Sequence, residues 1–375
     1  MTSCCNISLR NILLRIAQSI NRNTLWLNGI KERLGLIRIA EKYLVKPLTP
    51  QEVQLIRASL RKDFIQRKVQ SLKNIQRIHF YVFLVQSIGD IIANEPIARH
   101  LKTLAPTSAI HWIVNRNFVA ILESNPNIDE IIPVNNFAEG EDICREFSRL
   151  PENIIIDCHF NGIAFDAKRK PHENPVNPKV NVYTHFYLGP LLSTFSLAAG
   201  LPPLNEAPVF YLRSGISRPN FKVSNYVVFH CRSNESAKDW KDSKWNHLAK
   251  TLTGEGYTVI EIGTKRVIGK NYNDKVINYT GEKDLQELAT IVRDAQLFIG
   301  IDSAFSHMAN CFKTPSVILL GKYKNFESYL PYSGPFPRSA DFQIIRAPAG
   351  LHASHVDFGK VLAAARKKLS GSATY

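Results

Sequence analysis

The sequence predicts an α/β protein built from two consecutive Rossmann-like units with parallel sheets, preceded by a basic helical extension. Three observations carry that prediction. Short apolar runs alternate with helical periodicity from residue 78 onward, the series restarts after a stretch rich in Pro, Ser and Arg at 202–219, and positive charge is concentrated before residue 76.

In the first series the apolar runs are 78–85, 109–114 and 154–156. Runs without polar alternation, separated by helical segments, indicate strands of a parallel sheet covered on both faces. The second series supplies strands at 226–230, 258–262, 297–301 and 316–320, with helices over 244–252 and 285–295. A last helical pattern at 355–369 follows a loop containing Pro348 and Gly350. The expected division is therefore a helical extension at 1–75, units at 76–215 and 220–345, and a helical segment at 346–375. Ligands of such sheets sit at the C-terminal ends of the strands, so chemistry is expected just after Val85, His230, Ile262 and Ile301, in a cleft between the units.

The composition is that of a globular protein: 375 residues, 45% hydrophobic and 21% charged. A formal net charge of +15 favours anionic partners such as nucleotides, phosphorylated glycans, acidic lipid surfaces or nucleic acid. Residues 1–75 hold 14 Lys+Arg against 4 acidic residues, with apolar residues at helical spacing, as in Ile12, Ile16 and Ile20 and again in Val53, Ile56 and Leu60. A solvated helical appendage is the simpler reading of this segment; contact with a membrane surface or an acidic glycan is the other. No apolar run reaches 18 residues, and the start, with Cys4, Cys5 and Arg10, makes a poor secretory signal. Six cysteines without C-x-x-C spacing argue against a zinc site and a disulfide framework. The expected location is the cytoplasm, with peripheral membrane contact as the variant.

Four places can carry chemistry. Gln86-Ser87-Ile88-Gly89-Asp90 follows the first strand, where Gly89 permits a tight turn and a helix N-terminus favours the Asp90 carboxylate; helix capping is the plainer role for Asp90. The loop after His230 carries Arg232, Ser233, Asn234 and Lys238, donors suited to a diphosphate, or else an exposed basic loop anchored by a buried Trp240. Gly263 ends the next strand, as a close-approach glycine or a plain turn. At Ile301-Asp302-Ser303-Ala304-Phe305-Ser306-His307 a buried strand gives way to a helix. Ser303 can cap that helix, its free first-turn N–H groups can hold phosphate oxygens, and His307 lies one turn in, aimed at the same anion. His159, Arg169 and Lys170 could face an anionic glycan, solvated loop residues being the simpler account.

These places, in order, resemble glycosyltransferase family 9, the ADP-heptose:lipopolysaccharide heptosyltransferases. Four blocks over roughly residues 78–322 carry the resemblance: Ser87 to Asp90 leading to Pro96; His230 to Lys238-Asp239-Trp240 with Trp245; Thr280-Gly281-Glu282 and the helical run after it; and Asp302 to His307 followed by the strand ending at Gly321. The resemblance implies a GT-B fold and inverting transfer without a bound metal. It puts the catalytic base on Asp90 and the donor-phosphate lysine on Lys238. Donor-binding positions fall on Gly89, Arg232, Ser233, Asn234, Gly263, Gly281, Asp302, Ser303, Ala304 and His307. It implies no cofactor, with a nucleotide sugar, ADP-heptose favoured, as donor substrate and an anionic glycan or glycolipid as acceptor. Two departures stand out: Ala304 replaces the usual glycine, and Thr264, Lys265, Arg266 and Val267 follow Gly263 where the family has an acidic residue. The basic extension is also absent from the family pattern.

The expected reaction has an acceptor hydroxyl attacking the anomeric carbon while Asp90, an exposed carboxylate near its ordinary pKa of about 3.9, takes its proton. Two other classes remain open: a sugar-nucleotide epimerase of the same architecture, which would turn over donor alone, and a non-catalytic glycan- or nucleic-acid-binding protein, of which the nucleic-acid form is the less favoured.

Overall fold

The computed structural model describes residues 47–163, 171–223, 225–269 and 274–371. The expectations placed on residues 1–46, and on Arg169 and Lys170, lie outside them.

The first sheet comprises β1 (His79–Phe83), β2 (Ala109–Asn115), β3 (Glu130–Val134) and β4 (Asn153–Asp157), all parallel in the order β3-β2-β1-β4. Successive side chains on β1 face opposite ways, as the two-residue period of a strand requires. Phe80 and Val82 join the large core, whereas Tyr81 and Phe83 join a smaller cluster with Phe137 and Cys144. Both faces are thus apolar, the reason the sequence shows runs rather than alternation. The helices of this unit begin with α1 (Pro50–Ala58), α2 (Phe64–Ser71), α3 (Ile88–Ala93) and α4 (Pro96–Leu104). After them come α5 (Phe137–Phe147), which covers the Tyr81 and Phe83 face, then α6 (His185–Leu188) and α7 (Leu191–Ala198).

The second sheet is also parallel: β5 (Tyr226–His230), β6 (Thr258–Gly263), β7 (Val276–Thr280), β8 (Leu297–Ile301), β9 (Ser316–Leu320) and β10 (Phe342–Arg346), in the order β10-β9-β8-β5-β6-β7. Helices α8 (Asp242–Gly254) and α11 (Phe358–Gly371) cover one face through Trp245, Leu248, Val361 and Leu369. Helices α9 (Leu285–Arg293) and α10 (Ala304–Phe312) cover the other and belong to the same continuous apolar core as the first sheet. The interface between the units therefore includes α9 and α10.

Strands β3, β7 and β10 were not anticipated. β3 contains Pro133 and buries only Val134 fully, and β7 is half-buried throughout except at the exposed Asn278, so neither shows the unbroken apolar run of an inner strand. All three are edge strands.

The described part of the basic extension is not a free appendage. Ile65 is fully buried in the first unit's core, and its N–H donates to the Gly200 carbonyl at 3.2 Å. Gly200 has φ +80 and lies so close to Phe64 that a side chain would collide with it. The helices α1 and α2 and the turn between them still present Arg57, Arg61, Lys62, Arg67 and Lys68 to solvent.

The segment joining the units is pinned at both ends. Glu95, buried, accepts from both Nε and Nη2 of Arg99 and from the Val209 N–H at 3.0 Å, while Arg99 Nη2 donates to the Ala207 carbonyl at 2.7 Å. Four residues on, the Arg213 N–H donates to Gln286 Oε1 of α9 at 3.0 Å, and the Arg213 guanidinium pairs with Asp284.

Candidate active site

Each sheet has one point where the chain reverses its direction of travel across it: between β1 and β4 in the first, between β5 and β8 in the second. The loops leaving adjacent strands diverge there and open a crevice, the favoured ligand position in such sheets. The four strand ends are residues 85–90, 157–159, 230–233 and 301–303. Three of the four blocks singled out in the sequence begin at one of them.

Gly89 and Asp90 sit in the first turns of α3 and meet the second unit. A Cβ at Gly89 would lie 3.3 Å from His307 Cδ2 and 3.5 Å from Ala304 Cα, so glycine lets α3 approach the start of α10 this closely without displacing the imidazole. Asp90 Oδ2 accepts from the Ser87 N–H at 3.1 Å and the Ser87 hydroxyl at 3.0 Å, closing a capping box. Capping and a position at the interface therefore coexist. The expectation of an exposed Asp90 with an ordinary pKa is corrected: burial raises it, opposed by the Ser87 bonds and the Lys238 charge, with Asp302 adding to the rise. Asp90, Lys238 and Asp302 share one electrostatic neighbourhood across the two units.

Lys238 Nζ lies 3.0 Å from Asp302 Oδ2 and 4.5 Å from the centre of the Tyr323 ring. Tyr329 and Tyr332 donate to the same carboxylate, to Oδ2 at 3.0 Å and Oδ1 at 3.3 Å. Burial alone would raise the Asp302 pKa, but Lys238, His307 and the Tyr329 bond hold it below the usual value. Burial likewise works against the Lys238 charge, and Asp302 and Glu235 outweigh it, raising its pKa. Tyr323 in turn donates to Glu235 Oε1 at 2.9 Å.

Within the Asp302 to His307 turn the ends are buried and the middle is half-buried at Ser303 and Ala304. Ser303 occupies the N-cap of α10 with extended backbone, yet its hydroxyl makes no cap bond, which corrects the expected capping role. Ser303 Oγ and His307 Nδ1 are buried without a protein partner beside the free N–H groups of the helix start. Desolvation takes His307 down to about 4, so it is neutral near pH 7. A neutral imidazole and a hydroxyl lacking partners, next to a helix N-terminus, are donors suited to anionic oxygens.

Other anticipated residues lie apart from this group. Arg232 turns to Asp242 at the start of α8, at 2.6 Å, and toward Asp239, so its charge is satisfied within its own unit. Ser233 is likewise bound to Asp239, and Asn234 is exposed. Trp240 is the buried anchor of this loop, its indole N–H donating to the Val356 carbonyl at 2.9 Å. Gly263 has φ +128 and faces His230, whose Nε2 would be 3.2 Å from an added Cβ; backbone conformation and a crowded neighbour both demand glycine. Gly281, φ +105, donates its N–H to the Gly263 carbonyl at 2.9 Å and has open space before it. In place of an acidic residue after Gly263, the buried Glu261 on β6 accepts from the Val267 and Ile268 N–H groups and holds that loop from inside.

Sequence reasoning missed the tyrosines at 323, 329 and 332, which lie in an irregular segment after β9 with no periodicity to mark them. It also took His159 for a solvated loop residue, whereas it is buried. His159 Nδ1 meets Asp157 Oδ1 at 2.9 Å, His172 Nε2 meets Asp157 Oδ2 at 2.8 Å, and His172 Nδ1 lies 3.5 Å from Glu141. Asp157, His159 and His172 lie close enough to hold a metal ion. The hydrogen bonds favour another reading: the Val85 N–H donates to His159 Nε2 at 3.3 Å, which puts the imidazole proton on Nδ1, toward Asp157. The two histidines also use different oxygens of Asp157. The cluster is a proton-bridged brace joining the ends of β1 and β4.

With this geometry in view, the comparisons with known proteins agree on one family. Residues 193–333 match the family model of glycosyltransferase family 9 (heptosyltransferase). The chain is 23% identical over 274 residues to lipopolysaccharide heptosyltransferase 3 of Escherichia coli, covering 62% of this chain and 80% of that protein. Among solved structures, E. coli ADP-heptose lps heptosyltransferase II superposes with a TM-score of 0.58 at 17% identity, over 79% of this chain and 100% of that one. TibC from enterotoxigenic E. coli H10407, described as an iron-containing dodecameric glycosyltransferase, superposes with a TM-score of 0.51 at 18% identity, over 75% of this chain and 67% of that one. These likenesses show two facing α/β units of the GT-B kind.

Proposed function

We propose, from the premise that this chain is a glycosyltransferase of family 9, that it moves a sugar, heptose favoured, from a nucleotide-sugar donor to a lipopolysaccharide-core or other glycan acceptor, with inversion and without a metal ion. One observation carries the reading: Asp90 of the first unit shares a charged neighbourhood with Lys238 and Asp302 of the second, at the meeting of the two sheet crevices.

The acceptor oxygen attacks the anomeric carbon from the face opposite the nucleotide, and its proton passes to Asp90 as the new C–O bond forms. The bond between the anomeric carbon and the diphosphate oxygen breaks, and its electron pair leaves with the nucleoside diphosphate. A raised pKa makes Asp90 a stronger base than an exposed aspartate, provided it stays ionised at the working pH. Lys238, the Ser303 hydroxyl and the first-turn N–H groups of α10 take up the charge that develops on the leaving diphosphate. Ala304 narrows that approach by one methyl group relative to glycine. ADP-heptose is the favoured donor because relatives of this fold are named for it.

The exposed cations of α1 and α2, with Leu55 at 69% exposure beside them, support contact with an anionic membrane surface from the cytoplasmic side. Among the described residues no helix is long and apolar enough to cross a membrane.

A thermal-shift panel of nucleotides and nucleotide sugars, followed by product analysis with and without a glycan acceptor, tests the reading. Stabilisation by ADP derivatives and acceptor-dependent release of the diphosphate are expected. Isomerisation of donor in the absence of acceptor would replace the transferase with an epimerase. Salt-sensitive binding of glycan or DNA with no donor turnover would point to a binding protein.

A further inference from the structure

The carboxylate of Asp302 has more partners than an ion pair with one lysine requires. Oδ2 faces both Lys238 Nζ and the Tyr329 hydroxyl at 3.0 Å, and Oδ1 faces the Tyr332 hydroxyl at 3.3 Å. Both phenols are buried, Tyr329 at 4% and Tyr332 at 0% exposure, and burial together with the Asp302 charge keeps them protonated donors. Neither belongs to the sequence blocks that carry the family resemblance. Their segment is held in place from two sides. The Leu191 N–H of α7 donates to the Pro331 carbonyl at 3.0 Å, and Arg346 of β10 donates to the Tyr329 carbonyl at 2.8 Å.

In a water-poor site a carboxylate whose sole partner is an ammonium grips it hard, because little else solvates either charge. Two phenol donors spread the carboxylate's charge and loosen that grip while leaving the ammonium in place. We propose that Tyr329 and Tyr332 are positioning residues that moderate the hold of Asp302 on Lys238, so that the ammonium can turn from the carboxylate to the diphosphate of an incoming nucleotide. This rests on the reading that Lys238 meets the donor diphosphate.

The groups facing Asp302 are Lys238 beyond β5, His307 of α10, Asp90 of α3, and Tyr323, Tyr329 and Tyr332 from the segment after β9; Glu235 faces Lys238. Removing the two hydroxyls leaves Lys238, the largest influence holding the Asp302 pKa down, beside an ionised carboxylate. With no phenol donor sharing that charge, the lysine is withheld from an incoming diphosphate.

The test is calorimetric binding of ADP and of UDP to the wild type and to the Tyr329→Phe/Tyr332→Phe double variant at pH 8. The double variant is expected to bind the preferred nucleotide roughly tenfold more weakly, the scale of lost hydrogen bonds to a charged group. Adding Asp302→Asn to the double variant is expected to restore affinity at pH 8, because an amide oxygen cannot hold an ammonium as a carboxylate does. The single Phe variants, each expected to show part of the deficit, carry the test if the double variant does not fold. Equal affinity at pH 8, or a loss that Asp302→Asn fails to reverse, would overturn the role of the tyrosines while leaving the diphosphate reading intact. Failure of the wild type to bind either nucleotide would overturn the diphosphate reading, and this proposal with it.

Discussion

Gly89 and His307 face each other across the two units with room for a hydrogen atom and little more: a Cβ on the glycine would stand 3.3 Å from the imidazole Cδ2. The contact brings the first turns of α3 onto the start of α10, and with them Asp90 toward Lys238 and Asp302. Gly89→Ala forces the ring to give by a few tenths of an ångström, and Gly89→Val adds two further methyl groups. The valine variant is expected to lose about 1–3 kcal/mol of stability and most of its transfer activity, the alanine variant much less of both. Thermal melts and steady-state assays on the two variants check this; wild-type activity in the valine variant would separate the close approach from function.

Asp90→Asn keeps the size of the side chain and removes the carboxylate proposed as the base. Turnover should fall by about 10²–10⁴-fold, with ADP affinity nearly unchanged. Wild-type turnover is expected to be present above the Asp90 pKa and lost as pH falls through it, at a pH above the usual carboxylate range because burial raises that pKa. A pH profile of single-turnover rates reads both. Near-normal transfer by the asparagine variant would remove Asp90 from the base role.

Lys238→Ala leaves the Asp302 carboxylate with its two phenol partners and no cation. Nucleotide affinity and turnover should both drop, affinity by about tenfold and turnover further, since the diphosphate carries more charge in the transition state than in the donor. Binding and kcat measured side by side decide it: an unchanged ADP affinity would show that the lysine serves Asp302 alone.

His172 offers a test of the brace around Asp157. Burial opposes its charge, but Asp157 and Glu141 raise its pKa above 6.5, while Asp157 is held below 3.8 by the two imidazoles against burial. The His172 contribution is complete below its unfolded pKa and lost as pH rises through the raised folded value. The Asp157 contribution is present above about 3.8 and lost as pH falls through the depressed value. His172→Asn is therefore expected to cost about 1–3 kcal/mol at pH 6 and clearly less at pH 9. Denaturant melts at the two pH values measure the difference, and an equal cost at both would show that the bond to Asp157 does not depend on the imidazolium.

The inner strands were legible because burial on both faces writes an uninterrupted apolar run, as in Val227, Val228 and Phe229 or Ile299 and Ile301. The edge strands β3, β7 and β10 escaped notice because a partly solvated strand has no such signature. At the site, Gly89, Asp90, Lys238 and the Asp302 to His307 turn were visible as chemistry placed at strand ends. Arg232 looked equally suitable, and nothing short of coordinates could show that Asp242 claims its guanidinium. The tyrosine pair was invisible for the opposite reason: its members are brought to Asp302 by an irregular segment whose path no periodicity encodes. His159 was misjudged because the donor that fixes its tautomer, the N–H at the strand end Val85, is distant in sequence.

The connection between the units, tied to Glu95 and Arg99 at 207–209 and to Gln286 and Asp284 at 213, leaves just Phe210, Tyr211 and Leu212 between its anchors. So short a span ties the two halves closely at this edge. Phe210 within it is itself buried, its ring against Phe312 of α10, so any hinge placed here has to move a packed ring.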